Sequence, residues 1–96
     1  MEKQMDYVVE SAEKVEIPQG ADAMFELGLM YCLGRGVVPN LVIAHKWFNL
    51  AASYGCEAAK DYRAELALEM SQQEIAEAQR EARLWKSQAD MERACA

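Results

Sequence analysis

The chain has 96 residues and a formal net charge of −6, enough for one small domain with a modest core. With 16 Asp and Glu against 10 Lys and Arg, nucleic acid is a poor partner, because phosphate binding needs a basic stripe. No apolar run approaches the roughly 20 residues of a membrane span.

Residues 1–16 contain no Gly or Pro, and Met5, Val8, Ala12 and Val15 recur at helical spacing. This predicts an amphipathic cap helix over 3–16, in a first unit of residues 1–19, ended by Pro18 and Gly20. Charges begin at Glu2 and Lys3, unlike a secretory leader, so a cytoplasmic location is expected.

Two helical patterns follow, expected over 21–33 and 40–54. In the first, Ala23, Leu27, Met30 and Tyr31 fall on one face. In the second, Ala44, Trp47, Phe48, Ala51 and Ala52 do so, while His45, Lys46, Asn49 and Ser53 take the opposite, solvent-facing side. Gly34 and Gly36 give the intervening turn its backbone freedom. Pro39 blocks continuation of the first helix, Asn40 is a good N-cap for the second, and Gly55 suits a left-handed C-cap. The stretch is an αα-hairpin with small residues at its crossing. Trp47 is expected to anchor it, with Gly28 as its closest contact on the facing helix.

Residues 20–55 resemble the Sel1-like repeat, a relative of the tetratricopeptide repeat. The matching residues are Ala23, Leu27, Gly28, Tyr31, Gly34, Gly36, Val37, Ala44, Trp47, Ala51, Ala52 and Gly55. Asn40 stands where the family usually has Asp. The resemblance implies an α-solenoid that binds proteins and is not an enzyme.

Residues 56–70 are expected to be a degenerate half-repeat helix. A shift by 35 residues matches Ala23 to Ala58, but Gly28 becomes Arg63 and Gly34 becomes Glu69. The repeat starts and decays, as a terminal unit does. Residues 71–96 form the closing unit. Ser71 and Glu74 make a capping box, with Met70 and Ile75 as its hydrophobic staple. The helix is expected over 72–92, with Ile75, Ala78, Ala82, Trp85 and Ala89 as its apolar line, a supporting Glu77–Arg80 pair, and fraying from Asp90.

Candidates for chemistry are weak. Glu57, Asp61, Glu65 and Glu69 form an i+4 row, but each step rotates by about 40°, so no single pocket sees all four. A solvated face is expected. The Gly34-Arg35-Gly36 turn lacks the donors of a phosphate loop. Three cysteines at irregular spacing and one histidine offer no zinc site. Cys32, Cys56 and Cys95 are expected to be thiols in a reducing compartment. Neither a metal nor a cofactor is expected.

The first hairpin helix is apolar on a second side, through Phe25, Leu29, Cys32 and Leu33, bordered by Asp22 and Glu26. Such a helix is either sandwiched inside the fold or presented to a partner. The candidate partner-binding residues are therefore Asp22, Phe25, Glu26, Leu29 and Leu33. The expected architecture is all-α: a short α-solenoid with one hairpin and flanking capping helices. The expected function is a non-catalytic protein–protein interaction module, or alternatively a small regulatory subunit or inhibitor docking on one enzyme. The partner is a protein of unknown identity, with self-association as a further possibility.

Overall fold

The computed structural model describes residues 20–95. The cap helix expected over 3–16 lies outside the described residues. Those residues form four helices and no strand: α1 (Ala21–Leu33), α2 (Leu41–Ser53), α3 (Glu57–Ala67) and α4 (Gln72–Cys95). The architecture is an all-α helical repeat fold.

Local chemistry explains each boundary. α1 ends at Gly34, whose left-handed φ of 74° lets its N–H return to the Met30 carbonyl at 2.8 Å. A Cβ there would also crowd Pro39, with Cγ only 2.8 Å away. Asn40 then ties the two helices together. Its backbone N–H donates to the Tyr31 carbonyl at 3.0 Å, satisfying one of the orphan acceptors at the end of α1. Its side-chain Oδ1 accepts from the Ile43 N–H at 3.0 Å, capping α2. At α4 the capping box closes in both directions. Ser71 N–H donates to Glu74 Oε1 at 2.9 Å, and Glu74 N–H donates to Ser71 Oγ at 3.1 Å. Glu77 and Arg80 form the expected i,i+3 ion pair.

α2 is the hub, packing against α1, α3 and α4. Ala44, Phe48 and Ala51 are fully buried, and Leu50 and Trp47 nearly so. Met24, Leu27 and Gly28 are the buried residues of α1; Ala59 and Leu66 serve α3, and Ala78 and Ala82 serve α4. The buried stripe of α1 is rotated from the expected one. Met24 is 3% exposed, whereas Ala23, Met30 and Tyr31 are only half-buried. The reason lies at the crossing. A Cβ on Gly28 would run into the Phe48 ring, so the two helices meet along the Met24–Gly28 line.

Three expectations are corrected. The contact closest to Gly28 is Phe48, not Trp47. Trp47 points to the other side of α2 and meets Trp85 of α4 edge-to-face, with ring centroids 5.5 Å apart. α3 stops at Ala67, so Glu69 lies in the following turn and the acidic row leaves the helix before its last member. α4 continues to Cys95 instead of fraying from Asp90. Ala89, Met91 and Glu92 favour helix, and no Gly or Pro interrupts the segment.

Candidate partner-binding surface

Phe25 and Leu29 are half-buried, Leu33 is 61% exposed, and Asp22 and Glu26 are exposed. Phe25 belongs to a ring cluster that joins three helices. Its centroid lies 5.7 Å from Phe48 of α2 and 5.1 Å from Tyr62 of α3, and Phe48 lies 5.6 Å from Tyr62. The second apolar line of α1 is thus divided. Its N-terminal part packs inside the fold, and its C-terminal part faces out.

Tyr62 of α3 meets Phe25 of α1 edge-to-face. α1 and α3 touch through this ring contact, while both pack chiefly against α2. The 35-residue shift relates exposed positions of the two segments. Asp22, Glu26 and Leu33 correspond to Glu57, Asp61 and Leu68, and all six are exposed. Leu68 is 86% exposed. Exposed carboxylates and an exposed leucine thus recur on α1 and on α3 with the turn after it.

The remaining repeat positions have structural roles. Leu27, Gly28, Ala44, Trp47 and Ala51 are buried, while Ala23, Tyr31 and Ala52 are half-buried at the core margin. Gly34, Gly36 and Gly55 hold left-handed backbone at the turns.

His45 departs most from its expected place. It is only 2% exposed, and its Nδ1 has no hydrogen-bond partner among the described residues. Burial pushes its pKa down, and the nearby Arg63 guanidinium pushes in the same direction. The polar side of α2 is only partly solvated, with His45 buried, Lys46 and Asn49 half-buried and Ser53 exposed, and α3 packs against α2. Arg63 Nη1 donates to Asn49 Oδ1 at 3.0 Å, one turn from His45.

Cys32 and Cys56 are free, half-buried thiols. Burial, then the Glu69 carboxylate, raises the Cys32 pKa and so disfavours its thiolate. Glu57, Asp61, Glu65 and Glu69 are exposed, and Glu57 pairs with Lys60 at 3.5 Å. No group of three or more metal-ligating side chains comes together among the described residues. No described helix is long and apolar enough to cross a membrane.

A short helical hairpin, continued by a third helix and closed by a long one, is a solenoid-like helical arrangement. Residues 21–55, which form this hairpin, match the family model of the Sel1 repeat, which is related to the tetratricopeptide repeat. Sel1 repeats generally mediate protein–protein interaction and are typically non-catalytic scaffolds. Neither a curated protein nor a solved structure is matched by this chain.

Proposed function

We propose that this chain is a non-catalytic adaptor that captures a basic, amphipathic protein segment along a ridge made by the exposed residues of α1 and α3. The observation carrying this reading is the repeated exposure of Asp22, Glu26 and Leu33 with Glu57, Asp61 and Leu68. Carboxylates would meet the basic side of the segment, and the two leucines would give it apolar anchors. Phe25 and Leu29 are half-buried behind these positions, so the contact residues are Asp22, Glu26 and Leu33 with Glu57, Asp61 and Leu68.

An anchor truncated at the centre of such a surface typically costs about 2 kcal/mol or more in binding, whereas a rim charge costs little. Leu33→Ala and Leu68→Ala should therefore weaken capture of a synthetic Lys/Leu amphipathic peptide, each with an unchanged melting curve. Glu26→Gln should chiefly flatten the salt dependence. Titration calorimetry at two salt concentrations reads both effects. Capture indifferent to both leucines would refute the ridge. One stoichiometric enzyme recovered from the native cell would instead favour a dedicated regulatory subunit.

A further inference from the structure

Between the hub helix α2 and α4 lies an open cleft of about 300 Å³ lined by Asn49, Leu50, Ser53, Gln79, Ala82, Arg83 and Lys86. We infer that this cleft binds the carboxylates of an acidic peptide segment, at a site separate from the α1–α3 ridge. The argument begins with charge. In a chain with 16 acidic residues against 10 Lys and Arg, the cleft carries two cations and no carboxylate.

The sequence leaves Arg83 unneutralised. Its neighbours one helical turn away on α4 are Gln79, Arg80, Lys86 and Ser87, so no acid stands at i±3 or i±4. Arg83 makes no ion pair or hydrogen bond among the described residues. Lys86 rests over the Tyr54 ring at 5.1 Å, which places its ammonium at the end of the cleft.

The neutral lining adds to the same bias. Arg63 offers only donors, so the Asn49 atom facing it at 3.0 Å is the amide oxygen. The Asn49 NH₂ group, with its two donors, takes no part in that bond, and Asn49 lines the cleft. Ser53 Oγ donates to the Leu50 carbonyl at 2.9 Å, which fixes its position on the wall. Gln79 can turn its NH₂ toward an anion. A guanidinium, an ammonium and amide donors around one opening match a carboxylate, while Leu50 and Ala82 give its methylene stem an apolar floor.

The cations are exposed, so each contributes modestly and the binding is salt-sensitive. The test uses the full chain and a hexaglutamate peptide blocked at both ends, followed by amide and side-chain NMR shifts. Saturable shifts at the Asn49 and Gln79 side-chain amides are expected at about 50 mM salt, fading by about 300 mM. Arg83→Gln combined with Lys86→Gln should weaken binding about tenfold, whereas Arg80→Gln, paired outside the cleft with Glu77, should leave it unchanged.

Gln79→Glu provides a check independent of folding defects. The new carboxylate precedes Arg83 by four residues on the same helix, so it should occupy the guanidinium. Peptide binding should be lost while the melting temperature holds or rises. The inference is overturned if hexaglutamate produces no saturable shifts, or if the double variant binds as well as the parent. It is overturned equally if inorganic phosphate binds as tightly as the peptide, which would make the cleft a small-anion site.

Discussion

Gly28 stabilises the hairpin through the side chain it lacks. Alanine would gain about 1 kcal/mol of helix propensity at this position. Its Cβ, however, would overlap the ring of Phe48, which is fully buried and cannot swing away. Overpacking of this kind costs about 1–3 kcal/mol. Gly28→Ala should therefore be net destabilising, read as a lower urea midpoint; a midpoint at or above the parent would show that the crossing has slack. His45 gives the residue scale its pH dependence. Its folded pKa lies below the ordinary 6.5 because burial and Arg63 both disfavour the imidazolium. Protonation thus favours the unfolded chain. This contribution to stability is fully present above about pH 6.5 and is lost as pH falls toward the lower folded value. His45→Gln should flatten the fall in unfolding free energy between about pH 7 and pH 5. An equal fall in parent and variant would mean that His45 does not titrate across unfolding.

At the scale of the elements, the two tryptophans decide how α4 is held. Trp47 is 6% exposed and meets Trp85 edge-to-face. Trp47→Ala should cost about 3–5 kcal/mol, a large part of the roughly 5–15 kcal/mol available to a domain. The coupling between the rings is smaller, about 0.5–1.5 kcal/mol. A double-mutant cycle of Trp47→Ala and Trp85→Ala in urea should recover it; additive losses would show that the two rings only bury area. The start of α4 is separately secured by its capping box, and Ser71→Ala should remove about 1 kcal/mol. Its effect on the urea midpoint should be independent of the Trp85 substitution, since the cap lies several turns away along the helix.

For the whole molecule, one repeat is below the three or so units that a repeat stack usually needs. The hairpin borrows its remaining cover from α3 and α4, which place Ala59, Leu66, Ala78 and Ala82 in the common core. Removing residues 71–96 should abolish cooperative unfolding, because the Trp47 face of α2 would lose Trp85 and its neighbours. A sharp urea transition from the shortened chain would show that the hairpin and α3 suffice. The same economy divides the second apolar line of α1. Phe25→Ala should lower stability, because Phe25 holds Phe48 and Tyr62 together. Leu33→Ala should not, because Leu33 is mostly solvated.

Much of this was legible in the order of residues because it depends on near neighbours. The Asn40 cap, the Gly34 turn and the Ser71–Glu74 box are local hydrogen-bonding problems with few solutions. Helical periodicity likewise reveals which residues can share a face. It does not say how many neighbours a helix will have. α2 has three, so His45 became buried although it lies opposite the Ala44–Phe48 face. Packing also separated Phe48, which meets Gly28, from Trp47, which meets Trp85, although they are adjacent in the chain. The cleft between α2 and α4 required the same information. Arg83 and Lys86 read as ordinary solvated charges until a helix far away in sequence sets Asn49 and Ser53 opposite them. Near-neighbour chemistry determined the helices, their ends and the Sel1 repeat; burial and charge neighbourhoods belong to pairs of helices, and only their tertiary packing decided them.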